Sequence, residues 1–260
     1  MNPIPNNVEN KKDNLLSIDT SIDWIISDSF IDYQQAVDFM HAKSVKLQLR
    51  KGIEKESVWL LEHDHVYTKG ASAKDKDLLI RPKNLFEKSA DTSTEYLFTS
   101  IPNGSKKPLE IHTLSDIPVI CTNRGGKFTY HGPGQKICYF MLDLKRRNLT
   151  VHEFVRLVEE LVIKVLNTLY VKAYIKKGYV GVWTNVCGKE RKIAAIGVNI
   201  KKYITTHGFS INNSNDLNLF KGIVPCGISE YGITSLKELG IECTNSHLNL
   251  LINTCFYSVF

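Results

Sequence analysis

From residue 171 to residue 212 the chain offers four strand-like runs in close succession, at 171–175, 180–186, 191–200 and 203–212. No helical segment separates them, so strict alternation of strand and helix is ruled out for this half of the chain. The strongest helix lies just before them. Thr150 and Glu153 form a capping box, and Phe154, Val155, Val158, Leu161, Val162, Val165 and Leu169 recur on one face. Earlier, Tyr33, Ala36, Val37, Met40 and Leu47 fall at helical spacing and end near Lys51-Gly52. Further strands are expected at 58–61, 119–122 and 137–144. A short helix capped by Ser235 and Glu238 and a last helix over 246–255 follow. Strands in series with helices early, midway and late predict an α+β fold around a mixed, mostly antiparallel sheet.

The apolar share of 43% and charged share of 23% over 260 residues are those of a globular chain with a real core. Residues 1–28, rich in Asn, Asp and Ser, read as a weakly ordered lead-in to a single domain over 29–260. A polar stretch at about 81–117 has too few apolar residues for a core of its own and reads as a surface insertion, with one hairpin arm at Tyr96, Leu97 and Phe98. Residues 1–14 lack the apolar region of an export signal, and the apolar run at 248–260 is shorter than the roughly 20 residues a bilayer requires. The six cysteines include no C-x-x-C pair, so they read as reduced thiols of a cytoplasmic protein. A net charge of +6 without a basic run argues against a nucleic-acid groove and leaves a membrane surface or an acidic protein as partner.

Three stretches carry chemistry. From Arg124 to Gln135, four glycines in twelve residues expose backbone N–H groups, flanked by Arg124 and by Tyr130-His131. The alternative is a tight turn whose glycines only permit positive φ. In the second stretch, Lys192 opens the small apolar strand Ile193-Ala194-Ala195-Ile196-Gly197, where a half-buried amine becomes an electrostatic tool. In the third, Pro225 and Gly227 hold Cys226 in a turn suited to presenting a nucleophile, although buried cysteine is also a common small hydrophobe.

Taken together the three stretches resemble the octanoyltransferases, or lipoyl(octanoyl) transferases. The resemblance rests on Glu62-His63 with Val66-Tyr67-Thr68 and Gly70, on residues 124–135, on residues 192–197, on His207-Gly208 and on residues 222–227, and it covers about residues 33–236. It implies the catalytic fold shared with biotin and lipoate ligases. It implies a two-step acyl transfer in which Cys226 takes octanoate from acyl carrier protein as a thioester and passes it to a lysine of an apo lipoyl domain. Those acceptors are the lipoyl domains of 2-oxoacid dehydrogenase complexes and the glycine cleavage H protein. Lys192 is matched to the residue that favours the thiolate and later accepts a proton. Arg124, Gly125, Gly126, Lys127, Phe128, Thr129, Tyr130 and His131, with Ala195, Ile196, Gly197, Gly208, Phe209 and Ser210, are matched to the acyl pocket. No cofactor, metal, nucleic acid or membrane is implied, and a monomer is.

The chain departs from the family pattern at Asp64-His65, where the family has Pro-Pro, and at Lys69, which suggests a more exposed turn. His63 and His65 are spaced like metal ligands, but no third ligand stands at useful spacing. An ATP-dependent ligase, which needs no cysteine nucleophile, is the nearest rival. A non-catalytic binding module and a cysteine peptidase using Cys226 and His131 are the others.

Overall fold

The computed structural model describes residues 22–49, 54–83, 85–86, 101–224 and 231–260. Its larger sheet contains β1 (Ile22–Ile31), β2 (Glu56–His63), β7 (Gln135–Met141), β8 (Ala173–Lys176), β9 (Tyr179–Val186), β10 (Lys189–Lys201), β11 (Ile204–Asn212) and β12 (Gly232–Ile233). The strands lie in the order β1-β2-β7-β11-β10-β9-β8, and β12 pairs with β10. Among the described residues of this sheet, only the β1–β2 and β10–β12 pairs are parallel. A smaller sheet orders β4 (Leu85–Phe86), β5 (Val119–Cys121), β3 (Val66–Lys69) and β6 (Phe128–His131) as β4-β5-β3-β6. The α+β, mostly antiparallel architecture matches the expectation.

β7 is buried along its whole length, and pleating divides its side chains between two cores. Ile137, Tyr139 and Met141 join Trp59 and Leu61 of β2 beneath α1 (Tyr33–Gln48). Cys138 and Phe140 join Val58 and Leu60 beneath α2 (Val151–Thr168) and α3 (Asn245–Phe256). The α2 capping box is formed: Thr150 Oγ1 accepts from the Glu153 amide, and Glu153 accepts from the Thr150 amide. Its buried stripe is Phe154, Val158, Leu161, Val162, Val165 and Leu166. Burying each such side chain contributes about 1.5–3 kcal/mol.

Three expectations change. Residues 22–28, read as lead-in, belong to β1, whose parallel ladder to β2 runs from Ile22 to Ile31. Ser235 and Glu238 do bond, but the segment makes turns rather than a helix, because Thr234 Oγ1 also binds Glu238 and holds it to the end of β12. The described part of the 81–117 stretch is pinned to the fold by backbone pairing, which its polar composition conceals. Phe30 and Ser105 exchange both amide hydrogen bonds, Leu109 donates to Asp64, and Ile117 is buried. The hairpin arm at 96–98 lies outside the described residues.

Candidate active site

A cavity of about 450 Å³ opens between the two sheets, and its exposed lining is mostly apolar. That is within the size range of sites for small organic ligands, about 300–1,000 Å³. One wall is the glycine-rich loop before β6. Gly197 on β10 lies directly across from Gly208 on β11, and this pairing lets the loop settle onto the sheet. A Cβ on Gly197 would stand 3.2 Å from both Arg124 Cδ and the Gly125 carbonyl, and one on Gly208 would stand 2.1 Å from the Cys138 carbonyl. The Gly125 amide then donates to the Val198 carbonyl at 2.9 Å.

Arg124, 6% exposed, is the internal brace of that loop. Its Nε and Nη2 donate to Thr68 Oγ1 at 3.1 and 2.6 Å, and Nη2 also reaches the carbonyls of Thr68 and Lys127 at 2.8 and 2.9 Å. Nη1 donates to the Gly125 carbonyl at 3.0 Å. The guanidinium therefore fixes the loop against β3 and leaves the backbone of Gly125 and Gly126 on the cavity surface.

Three buried histidines stand at this wall, His131 and His207 on the cavity lining and His63 outside it. The Ile31 carbonyl can only accept, so His63 Nδ1–H donates to it at 2.7 Å, and the Tyr139 hydroxyl donates to Nε2 at 2.7 Å. Burial lowers the His63 pKa to about 4 and that of His207 to about 3, and it holds His131 well below its usual value. All three are neutral at pH 7. His131 Nδ1–H donates to Gln135 Oε1 at 2.7 Å, Gln135 Nε2 donates to Asn212 Oδ1 at 2.9 Å, and Asn212 Nδ2 donates to the Thr234 carbonyl at 3.0 Å. The Thr234 amide in turn donates to the Lys192 carbonyl at 2.9 Å. A continuous buried chain thus ties the cavity wall to β12 and to the backbone of Lys192.

Lys192 is only 5% exposed, deeper than the half-buried amine expected from sequence. It precedes a bulge: Lys192 pairs with Trp183 and Ala194 with Val182, which leaves Ile193 unmatched on β9. Its Nζ donates to the Val180 carbonyl at 2.7 Å.

The structure brings thirteen of the fourteen expected pocket residues to the cavity surface, together with Lys192. The exception is Tyr130. Strand alternation turns its ring away from Thr129 and His131, into a cluster with Tyr67 and Phe220, and its hydroxyl bonds His65 Nδ1 at 2.7 Å. Tyr130 and Tyr139 thus engage His65 and His63 separately. Lys69 is partly exposed and pairs with Asp75. Cys226 lies outside the described residues. Its flanks do not: the Val224 amide donates to the Asp77 carbonyl at 2.8 Å, and the Tyr231 ring lies 5.5 Å from that of Trp183. Sequence reasoning missed Ile137, Tyr139, Val155, Tyr179, Val180 and Val198, which also line the cavity. Ile137 and Tyr139 share one face of β7, a period-2 signal present in the sequence, whereas the other four come from elements whose meeting depends on tertiary structure.

Residues 33–248 match the profile of the lipoyl protein ligase A/B catalytic domain. The chain is 40% identical over 240 residues to the octanoyltransferase of Ehrlichia chaffeensis, covering 92% of this chain and 96% of that one. It is 39% identical over 246 residues to the octanoyltransferase of a Bradyrhizobium species, covering 92% and 88%. Among solved structures it resembles lipoate-protein ligase A bound with ATP, with a TM-score of 0.63 at 11% identity over 91% of this chain and 84% of that one. The bipartite lipoate protein ligase of Thermoplasma acidophilum superposes with a TM-score of 0.58 at 11% identity, covering 92% and 84%. At such identities the two structures speak for the fold alone.

Proposed function

The chain belongs to the octanoyltransferase family within the lipoyl protein ligase A/B catalytic-domain group, and from that premise we propose that it moves an octanoyl group from acyl carrier protein to a lysine of apo lipoyl domains through a thioester on Cys226. The acceptors are the lipoyl domains of 2-oxoacid dehydrogenase complexes and the glycine cleavage H protein. The observation that carries this reading is the apolar cavity with one buried amine, Lys192, in its wall, close to the Tyr231 flank of the segment that bears Cys226.

In the first step the Cys226 sulfur attacks the donor thioester carbonyl. The carbon–sulfur bond to the carrier breaks, and the leaving thiolate takes the proton of the Lys192 ammonium, which leaves Lys192 a neutral amine for the second step. An ordinary cysteine with a pKa of about 8.5 is only a few per cent thiolate at neutral pH, so an adjacent ammonium raises the reactive fraction. In the second step the acceptor amine attacks the acyl-enzyme carbonyl, the bond to Cys226 breaks, and Lys192 accepts the amine proton before returning it to the sulfur. Backbone N–H groups beside Cys226 stabilise the tetrahedral oxyanion. Thioester to thioester is nearly isoenergetic and thioester to amide runs downhill, so no nucleotide, metal or other cofactor takes part.

The thirteen cavity residues hold the acyl chain, while Tyr130 supports the wall from behind. Residues 29–260 act as one monomeric catalytic domain to which β1 also belongs, and the 81–117 stretch is an insertion on it. No helix among the described residues is long and apolar enough to cross a membrane. The five described cysteines are free thiols, in keeping with a cytoplasmic enzyme, and no membrane or nucleic acid enters the scheme. The test is incubation with octanoyl carrier protein and an apo lipoyl domain in the absence of nucleotide. An octanoyl amide on the domain supports the reading. Transfer only from free octanoate with ATP would replace it with a ligase.

A further inference from the structure

The large cavity and a second, smaller one follow each other along the same pair of strands. On β10 the large cavity is lined by Lys192 and by residues 195–198, and on β11 by residues 207–210. Beyond that point Asn199 and Lys201 of β10, with Thr206 and Ile204 of β11, line a pocket of about 50 Å³ beneath Met40 and Ser44 of α1. His207 pairs with Val198, the cavity residue farthest along β10 from Lys192. Among the described residues, His207 alone lines both spaces.

His207 is held there against two ordinary preferences. Its φ is +60°, a left-handed conformation inside a strand. Its Nδ1 is buried with no hydrogen-bond partner among the described residues. In a regular strand its ring would share a face with Phe209, which packs into the core beneath α2. The left-handed turn sends it to the other side. There it stacks on Tyr33 at 6.3 Å and 23°, and it stands 5.6 Å from Tyr139 at 87°. Its amide donates to Met40 Sδ at 3.2 Å.

We propose that His207 is the end wall of the acyl cavity and sets the longest acyl chain the enzyme accepts. The inference rests on the reading of that cavity as the acyl site. A chain whose head lies at Lys192 runs along the β10–β11 ladder and ends against the imidazole, with the small pocket in line behind the ring. The ring is neutral at pH 7, so a terminal methyl group meets a face with no charge to desolvate. Removing the ring joins the two spaces. Each further methylene that then leaves water strengthens binding about fourfold.

The test measures binding of free fatty acids of six to twelve carbons by titration calorimetry, which requires no reaction at Cys226. In the wild type, affinity rises with length and stops rising at about eight carbons. His207→Gly accepts the left-handed backbone and lacks the ring. In it the rise continues, and decanoate gains about tenfold relative to octanoate. His207→Asn, which also tolerates this φ, shifts the limit by less. Adding Ser44→Leu to His207→Gly refills the small pocket and returns the limit toward eight carbons. An unchanged limit in folded His207→Gly overturns the proposal, as does a shifted limit that ignores Ser44→Leu. If the variants do not fold, an eight-carbon acid with a terminal diazirine is photolysed on the wild type. Labelling at Val198 or His207 supports the end wall, and labelling confined to Tyr179 and Val180 overturns it. A wild type that binds no acid of any length overturns the acyl-cavity reading and the proposal with it, a result distinct from bound octanoate with an unchanged limit.

Discussion

Arg124 Nη2 and Thr68 Oγ1 meet at 2.6 Å, both buried, in a contact that fastens the glycine-rich loop of the cavity wall to β3. Thr68→Val keeps the shape of β3 while removing the oxygen that accepts from both Nε and Nη2. Nη2 keeps the carbonyls of Thr68 and Lys127, so the loss falls mainly on Nε, and losing one such bond of a buried charged group costs about 1–3 kcal/mol. The expected outcome is that loss in urea unfolding, together with a raised KM for the octanoyl donor. Unchanged stability and KM would mean the loop holds its place without this brace.

The glycine pair beneath the loop gives a harsher prediction. At Gly208 even a methyl group would stand 2.1 Å from the Cys138 carbonyl, inside the β7–β11 ladder. Gly208→Ala should cost about 3 kcal/mol or more, enough to leave little folded protein. At Gly125 a Cβ meets only the Val198 carbonyl, at 3.3 Å, so Gly125→Ala should fold and act mainly on acyl binding. Circular dichroism melts of the two variants separate these outcomes.

His63 makes stability depend on pH in a stated direction. Its pKa is about 4 when folded against 6.5 as the ordinary value, so below pH 6.5 the unfolded chain binds the extra proton. Stability is fully present above about 6.5 and is lost as pH falls through 4, by about 3 kcal/mol from this group. Urea midpoints measured from pH 7.5 to 4 should fall accordingly, and the His63 imidazole resonance should stay in its neutral position at pH 5.5. A His63 that titrates near 6.5 would contradict the burial argument.

Octanoyl carrier proteins and lipoyl domains are typically acidic, and this chain carries +6, so association should be steered by charge. Raising salt from 50 to 500 mM should raise the KM for carrier-bound octanoate while leaving that for a small octanoyl thioester nearly unchanged. Equal behaviour of the two donors would reduce the net charge to background composition.

How much of this was legible in the sequence follows from the range of the forces involved. α2 was readable because its capping box and apolar stripe are local, and β9 through β11 because consecutive apolar runs separated by turns pair with their neighbours. β1 was missed because only its parallel pairing with β2, across α1, makes Ile22–Ile31 a strand. The docking of Ser105 onto Phe30 is a backbone contact without a side-chain signature. At the site, the glycine-rich loop, Lys192 and the separate motifs that carry Gly197 and Gly208 were visible in the sequence, whereas the pairing of the two glycines comes from the β10–β11 register. Tyr130 was misplaced because a motif gives proximity and not the face of the strand.

The central claim is that Cys226 carries the acyl group, and intact-protein mass spectrometry after mixing with octanoyl carrier protein tests it most directly. The account predicts an adduct of one octanoyl group that disappears in Cys226→Ser, survives replacement of any other cysteine and forms slowly in Lys192→Ala. An unmodified mass under conditions where the lipoyl domain still becomes octanoylated would contradict it.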